Sequence, residues 1–398
     1  MARKRTDILV AGGGIAGLTT AAACAHAGYS VVLASPFAPV TEAGGTGSDL
    51  RSTAFLQPAI SLFETLGLWQ DLAPEATPLE GLRIVDSTGW PPQVRATREF
   101  RASDLGSAEF GWNLLNWQTL SHLSQKLTDH PEVDLQYGSG VSGLVQRDNE
   151  VIVRLTSGES VAARLVIAAD GRESTVRDAA GIGHVTTRYG QKAFAFVAGH
   201  DIPHENVSTE VYNDGGPFTM VPLPDHEGQP ASAIVWMNTN ARAAEIDALN
   251  EQDFAALASE RSCHWFGPLR PLSPRRTWPI ISLRAKALTA PRVAILAEAA
   301  HVVPPIGAQG LNTSLNDVAA LLRALTAHPG DPGAPSVLAD YRRARSTDIT
   351  ARVAAIDLFN RVTKSDLAPL QALRLSGLKL VHDAAPLRKT IMRAGMGG

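Results

Sequence analysis

Cysteine is scarce in this chain of 398 residues, which contains only Cys24 and Cys263. Two cysteines exclude both a disulfide framework and a cysteine-based zinc site. The 11 histidines show no metal-ligand spacing, so no metal site is predicted. The net charge of -3 provides no basic field that would attract nucleic acid, and we expect no nucleic-acid partner.

Long apolar runs are missing as well. No stretch of 18 or more apolar residues occurs, so the sequence predicts no membrane-spanning helix. Hydrophobic residues nevertheless make up 44% of the chain and charged residues 19%, a balance that excludes a disordered protein and supports a large core. The Gly-x-Ser-x-Gly motif of serine hydrolases is absent. We therefore expect a globular protein, and the few thiols favour a reducing, cytoplasmic compartment.

The first 35 residues read as a β-α-β unit. Ile8–Ala11 is a short apolar run typical of a strand buried on both faces, Gly17–Ala27 has helical composition, and Ser30–Ala34 is a second buried strand. Later segments alternate between short strands and turns up to about residue 297, and helices follow from Asn312 onward. This order predicts an α/β (α+β) fold: a Rossmann-like domain, an inserted antiparallel sheet and C-terminal helices.

The loop between the first strand and the first helix carries glycines at G-x-G-x-x-G spacing: Gly12, Gly14 and Gly17. Such a loop gives a tight turn, lets a diphosphate approach the backbone, and directs the N–H groups of a helix at the phosphates. Because the motif lies between a strand and a helix, we interpret it as a dinucleotide site rather than a purely structural turn. The acid that usually binds the ribose is missing, and only Ser35 offers a hydrogen bond at the end of the second strand.

Two later segments distinguish FAD from NAD as the dinucleotide. Residues 165–177 read LVIAADGRESTVR, and residues 293–321 read VAILAEAAHVVPPIGAQGLNTSLNDVAAL. With the glycine loop they resemble the aromatic-ring hydroxylases, which are FAD-dependent class A flavoprotein monooxygenases with the para-hydroxybenzoate hydroxylase fold. Segment 49–56 is similar to the arginine segment that follows the second strand, and segments 357–373 and 386–395 are similar to the tail of the ubiquinone-biosynthesis hydroxylases within that family.

This resemblance implies a complete set of roles. It implies non-covalent FAD, NAD(P)H as a transient co-substrate, O2, and hydroxylation of a polyprenylated phenol through a flavin C4a-hydroperoxide. No catalytic side chain is assigned, because the flavin performs the chemistry, but Pro304, Pro305 and Gly307 are expected at the flavin face. The implied cofactor-binding residues are Gly12, Gly14, Ile15, Ala16, Gly17, Ser35, Arg51, Gln118, Asp170, Gly171, Glu298, Pro305, Gly307, Gln309, Gly310, Leu311 and Asn312.

Three positions depart from the family pattern. Ala297-Glu298 replaces Gly-Asp, Ser314 replaces a glycine, and the ribose acid is absent. These departures motivate the alternative of a non-catalytic subunit that binds quinone precursors. A further alternative keeps the fold and changes the reaction to that of a related epoxidase or reductase of lipids. His301 is interpreted as a hydrogen-bonded structural residue rather than a catalytic one.

The resemblance also predicts domain boundaries. The FAD-binding domain is assigned to residues 1–80, 101–185 and 275–330, the substrate-binding sheet to 81–100 and 186–274, and the C-terminal helices to 331–398. The substrate ring is expected between the sheet and the Val302–Gly307 loop, with its tail along the Phe194–Val197 and Phe218–Leu223 strands. The basic region 367–398 is either a solvated helix or a surface for the inner membrane or for a ubiquinone-biosynthesis protein complex.

Overall fold

A computed structural model describes residues 3–42, 48–49, 51–364 and 368–396. Leu50 of segment 49–56, residues 365–367 of segment 357–373 and residues 397–398 of the basic region lie outside the described residues. The strands are β1 Lys4–Ala11, β2 Val31–Ser35, β3 Ser52–Leu56, β4 Thr77–Leu79, β5 Gly81–Thr88, β6 Gln93–Arg101, β7 Gly111–Leu115, β8 Val133–Tyr137, β9 Val141–Gln146, β10 Val151–Leu155, β11 Ser160–Ala168, β12 His184–Gly199, β13 Val207–Asn213, β14 Gly216–His226, β15 Gln229–Thr239, β16 Arg270–Pro271, β17 Arg276–Ala285, β18 Thr289–Ala290, β19 Val293–Ile295 and β20 His301–Val302.

The helices frame these strands and dominate the C-terminal part of the chain. They are α1 Ile15–His26, α2 Gln57–Thr65, α3 Trp69–Leu72, α4 Asn116–Thr128, α5 Thr175–Ala179, α6 Asn240–Asp247, α7 Glu251–Arg261, α8 Gln309–Ala327, α9 Pro335–Thr363, α10 Ala368–Asp383 and α11 Ala385–Met396. Among the described residues, none of these helices is both long and apolar enough to cross a membrane.

The first sheet contains the predicted β-α-β unit. Its strand order is β18-β19-β11-β1-β2-β8, and β10 joins β11 while β9 joins β10. The pairs among β19, β11, β1, β2 and β8 are parallel. Residues Ile8–Ala11 of β1 are completely or almost completely buried, as expected for a parallel strand covered on both faces. The predicted α/β fold class is therefore confirmed.

The second sheet is the predicted inserted layer. Nine strands pair in the order β20-β17-β12-β15-β14-β13-β5-β6, with β16 beside β12. Most pairs are antiparallel, but β13 and β5 run parallel. The domain prediction assigned 275–330 to the FAD-binding part, whereas β17 (276–285) belongs to this sheet because it pairs with β12 along most of its length.

Each strand of the second sheet has two different faces. One face carries Phe194, Phe196 and Trp236, which pack against Phe254 of α7 in a buried aromatic cluster. The opposite face borders a cavity. The expectation that Phe194–Val197 and Phe218–Leu223 form the tail channel is wrong for the phenylalanines, because strand alternation directs them to the helix-covered face.

The small third sheet and the C-terminal helices enclose the same cavity. Strands β3, β7 and β4 form the third sheet. Helix α10 packs beside the edge strand β6, where the rings of Phe100 and His382 lie 5.5 Å apart and Arg98 pairs with Asp383 at 3.5 Å. The cavity is therefore bounded by the second and third sheets, by the segments that follow β1, β11 and β19 of the first sheet, and by helices from the last third of the chain.

Candidate active site

The glycine loop has different physical requirements at each glycine. A Cβ on Gly12, whose φ is +112°, would lie 2.2 Å from the carbonyl oxygen of Ala169. A Cβ on Gly17 would lie 2.0 Å from the carbonyl oxygen of Gly12. A Cβ on Gly14 would meet no atom of the described residues within 4 Å. Gly12 and Gly17 therefore pack the loop, whereas Gly14 leaves space for a ligand.

That space lies at a helix N-terminus. Gly14 is the N-cap of α1, no side chain of the described residues caps this end, and Gly14, Ile15, Ala16 and Gly17 line the cavity. Uncapped N–H groups and the positive end of a helix dipole bind phosphate. The loop therefore fits the diphosphate of a dinucleotide.

Ser35 is brought beside this loop but is already engaged. Its hydroxyl donates to the carbonyl of Phe37 at 2.7 Å, and the residue is 5% exposed. A Cβ on Gly13 would lie 2.8 Å from the Ser35 oxygen, so Ser35 packs directly under the loop. In the structure this hydroxyl closes the turn after β2.

Arg51 is held at the cavity wall by partners that sequence reasoning missed. Its Nε and Nη2 donate to Asp49, each at 2.7 Å, and its guanidinium lies 5.3 Å from the ring centre of Trp278. Asn116 Nδ2 donates to Asp49 at 2.9 Å and fixes the carboxylate. Hydrogen bonding to Asp49 raises the pKa of Arg51 above its ordinary value. The result is an oriented cation with almost half of its side chain exposed.

Gln118 is not brought to the cavity. Its amide nitrogen donates to Glu75 at 2.8 Å, and it is not among the residues that line the cavity, whereas Asn116 and Leu120 of the same helix are. A position two residues from each of these points to another side of an α-helix. The implied cofactor contact of Gln118 has no support from this geometry.

Asp170 and Gly171 have different roles in the turn before α5. The Asp170 carboxylate accepts hydrogen bonds from the Ser174 hydroxyl and from the backbone N–H of Val176 at 3.1 Å, which fixes the start of α5. Burial raises the pKa of Asp170. Gly171, at φ +84°, lines the cavity instead. Asp170 therefore shapes the turn that brings Gly171 to the site.

Glu298 reaches the cavity from a strained turn. Strand β19 ends at Ile295, and Ala297–Ala299 forms a short 3-10 turn in which Ala297 has a φ of +54°. Glu298 is exposed, lines the cavity, and lies near enough to Arg51 for its charge to raise the pKa of that guanidinium further. A carboxylate facing the cavity fits a hydroxyl-rich ligand chain such as ribityl.

A buried charge cluster supports this turn. Asp317 accepts hydrogen bonds from Ala297 N–H at 3.0 Å and Arg345 Nε at 2.7 Å, and His301 Nε2 lies 2.6 Å away. Burial alone would raise the pKa of Asp317, but His301 and Arg345 lower it below its ordinary value. His301 therefore has the structural partner that its sequence interpretation predicted, although the residue is also among those that line the cavity.

The proline-glycine segment leads into the N-terminus of α8. Pro304, Pro305, Gly307, Gln309, Gly310 and Leu311 line the cavity. A Cβ on Gly310 would meet no atom of the described residues within 4 Å, which leaves room for a flat ring. Ser314 also lines the cavity and donates to the carbonyl of Gly310 at 3.1 Å. A helix N-terminus there favours negative charge on a bound group.

The side chains of Gln309 and Asn312 hold this helix start in place. Asn312 Nδ2 donates to the carbonyls of Ala54 and Ala308, each at 2.7 Å, and Asn312 Oδ1 accepts from Leu56 N–H at 2.9 Å. Gln309 Nε2 donates to the carbonyl of Gly395 at 2.7 Å, so α11 reaches the same loop. Asn312 therefore contributes by fixing the backbone rather than by lining the cavity.

The cavity joins these elements into one space of about 1180 Å³. Typical small-molecule sites have volumes of about 300–1,000 Å³, so a dinucleotide and a second molecule can share it. One end contains the glycine loop, Arg51 and Glu298, and the other is the open face of the second sheet. The residues present fit FAD, because the loop is open at Gly14, the ring site is open at Gly310, and a cation and a carboxylate line the same cavity.

Comparisons with known proteins agree with this geometry. The model of the family described as FAD binding domain matches residues 5–355. Ubiquinone hydroxylase UbiL of Rhodospirillum rubrum is 32% identical, with 100% of this chain and 90% of the relative covered. The 3-demethoxyubiquinol 3-hydroxylase of Escherichia coli is 27% identical with both chains fully covered.

Solved structures extend the likeness to the fold. The crystal structure of p-nitrophenol 4-monooxygenase PnpA from Pseudomonas putida DLL-E4 superposes with a TM-score of 0.79 at 20% identity and covers 99% of each chain. The matched family, the full-length relatives and the shape of the cavity all indicate an FAD-binding protein. The chain belongs to the FAD binding domain family and is one of its FAD-dependent monooxygenases.

Proposed function

We propose that this enzyme hydroxylates the aromatic ring of a polyprenylated phenol in ubiquinone biosynthesis, with FAD as cofactor and NAD(P)H and O2 as co-substrates. The observation that carries the proposal is the single cavity that connects the FAD end to the open face of the second sheet. Two relatives named for ubiquinone or demethoxyubiquinol hydroxylation match over the full chain, which supports the substrate class.

The chain's own residues bind and orient the cofactor. Gly14 and the N-terminus of α1 would hold the diphosphate, Glu298 the ribityl hydroxyls, and the backbone at Gly307–Gly310 the flavin ring. Bound FAD supplies hydride acceptance from NAD(P)H and activation of O2. The N-terminus of α8 would stabilise negative charge on a flavin ring bound there.

An apolar wall fits a prenyl tail. Helix α9 contributes Leu358, Phe359 and Val362 to the cavity, and α10 contributes Leu378 and Val381. Burying a methylene group is worth about 0.8 kcal/mol, so a chain of isoprene units gains substantial affinity from such a wall. The tail therefore runs beneath the C-terminal helices in this proposal, and not along the phenylalanine strands.

The same helices suit a peripheral contact with an anionic membrane or with a biosynthetic partner complex. Exposed apolar and basic side chains alternate on α10 and α11: Lys379, Leu380, Leu387, Lys389, Ile391 and Arg393. Apolar and cationic groups together favour an anionic lipid surface. Co-sedimentation with phosphatidylglycerol vesicles, lost in Lys389→Glu/Arg393→Glu, is the expected result; equal sedimentation of that variant contradicts the membrane contact.

One experiment tests the catalytic proposal. The purified holoenzyme is mixed with NAD(P)H, isotope-labelled O2 and a short-chain 2-prenylphenol, and the product is analysed by mass spectrometry. One labelled oxygen atom in the ring is the expected result. Oxidation of NAD(P)H to NAD(P)+ with reduction of O2 to hydrogen peroxide, without a ring product, contradicts the proposed substrate class.

A further inference from the structure

A carboxyl group lies in the floor of the substrate half of the cavity. Glu210 is on β13, lines the cavity, and is 8% exposed. Side chains alternate across β13, so Ser208, Glu210 and Tyr212 face the cavity, whereas Val207 and Val211 are fully buried away from it. A buried carboxyl group is costly unless it has a partner or a function.

Only half of this carboxyl group is engaged. The Tyr212 hydroxyl donates to Glu210 Oε2 at 2.5 Å. Within the described part of the chain, no other hydrogen bond to the Glu210 side chain is found. Glu210 Oε1 is also not one of the fully buried polar atoms that lack a hydrogen-bond partner. Oε1 is therefore an acceptor open to the cavity.

The strand register places this acceptor within reach of a bound ring. Glu210 lies opposite Thr219 of β14, and Thr219 lies opposite Val235 of β15. All three line the cavity, and Val235 packs in one cluster with Ile306, the residue before Gly307. Adjacent strands are about 4.8 Å apart, so Glu210 is about 10 Å across the sheet from Val235. A phenol that covers Thr219 spans this interval.

We propose that Glu210 is the proton acceptor for the phenol hydroxyl of the substrate, which rests on the proposed function above. The O–H bond of the phenol breaks, its electron pair stays on the phenol oxygen, and the proton forms a new O–H bond at Glu210 Oε1. The phenolate that results is a more electron-rich ring than the phenol. Tyr212 holds the carboxylate in orientation and is a positioning residue.

The groups around Glu210 leave its charge largely uncompensated. Tyr212 shares its strand, Asp86 of β5 lies across from Tyr212 and is paired with Arg95 at 2.6 Å, and α9 presents apolar Leu358 and Phe359 to the cavity. Burial raises the pKa of Glu210, and the Tyr212 hydrogen bond lowers it in part. A raised pKa makes the carboxylate a stronger base toward a phenol, whose own pKa is about 10.

The test compares three variants of the holoenzyme with 2-geranylphenol as the probe. Glu210→Gln keeps the shape and removes the base, Glu210→Asp keeps the base, and Glu99→Gln is the matched control. Glu99 is on β6 of the same sheet but pairs with Arg83 and is not among the residues that line the cavity. Hydroxylated product per NAD(P)H oxidised is measured across pH.

We expect Glu210→Gln to lower hydroxylation at neutral pH by about 10²–10⁴-fold, the usual worth of a general base. Flavin content and NAD(P)H oxidation should persist, hydroxylation should recover as pH approaches the phenol pKa, and Glu210→Asp should retain part of the activity. Parental coupling and an unchanged pH profile in Glu210→Gln overturn the inference.

Further arms keep the outcomes separate. If Glu210→Gln loses its flavin, Tyr212→Phe is decisive, because loss of the hydrogen bond raises the Glu210 pKa and should shift the acidic limb of the rate profile to higher pH; no shift overturns the inference. A parent that does not hydroxylate the probe refutes the proposed function instead. In that case, binding of the probe is followed by flavin fluorescence across pH. Probe affinity that depends on pH in the parent but not in Glu210→Gln supports Glu210 as the proton acceptor. The same pH dependence of probe affinity in both proteins rejects that role.

Discussion

Gly14→Asp separates the stability of the glycine loop from its ligand binding. Asp is a preferred N-cap residue, and Gly14 caps α1 in an extended conformation (φ -78°, ψ 175°) that Asp adopts readily. Negative charge at a helix N-terminus adds about 0.3–1 kcal/mol. The flavin-free variant should therefore be as stable as the parent or slightly more stable.

The same substitution should block FAD. A carboxylate about 4 Å from a phosphate charge, at an effective dielectric constant of about 20, costs about 4 kcal/mol. That corresponds to about a thousand-fold weaker binding. Gly14→Asn is the matched control, because it has the same shape without the charge and should lose only the steric part.

The assay combines thermal unfolding of flavin-free protein with FAD titration by flavin fluorescence. Gly17→Ala should behave in the opposite way: its Cβ would lie 2.0 Å from the Gly12 carbonyl oxygen, so the fold itself should lose at least about 1–3 kcal/mol. Undiminished FAD affinity in Gly14→Asp would refute the role of Gly14 in ligand binding, and unchanged stability of Gly17→Ala would refute the role of Gly17 in packing the loop.

Three other predictions concern the turn after β19. Glu298→Ala should weaken FAD by roughly 1.5–3 kcal/mol, whereas Glu298→Asp should be tolerated; fluorescence titration measures both. Ala297→Gly should leave the stability measured by thermal unfolding nearly unchanged, because relief of a left-handed φ (about 1–2 kcal/mol) offsets the cost of glycine. The control Ala300→Gly, at φ -96°, has no such relief and should cost about 1–2 kcal/mol of stability. Equal losses of stability in the two variants would contradict this. Asp317→Asn should cost up to about 3–5 kcal/mol by removing the fully buried carboxylate charge beside Arg345, which keeps its second carboxylate partner, Asp348, at 2.7 Å. Since the Asp317 pKa is lowered, its contribution to stability in the parent should be present above the ordinary carboxyl pKa and lost as pH falls through the lowered value, which acid unfolding of parent and variant would reveal.

The local segments were predictable because their signals are local. The glycine loop, β1, α1 and β2 follow from a backbone that must turn tightly and from strands buried on both faces. Pro304 to Leu311 were expected at the cavity because this segment resembles the corresponding segment of the aromatic-ring hydroxylases, and most of these residues line it.

Contacts between distant segments were not predictable. Asp49 and Asn116 are 67 residues apart, and Asp317 and Arg345 are 28 apart, yet each pair forms a direct hydrogen bond. Spacing in a sequence does not reveal which polar residues meet when the sheets and helices pack. Gln118 was expected at the cofactor, but a distant residue, Glu75, accepts its hydrogen bond away from the cavity.

The faces of the second sheet show where sequence information ends. Alternation along β13 and β14 follows from the period of two in any strand, and it is visible in the sequence. Alternation separates the face of Val211, Phe218 and Met220 from that of Glu210 and Thr219, but it does not reveal that α7 covers the first and that the second borders a cavity. Packing of Phe254 against Phe196 fills one face and leaves the other to the cavity, and that choice brings Glu210 to the substrate side.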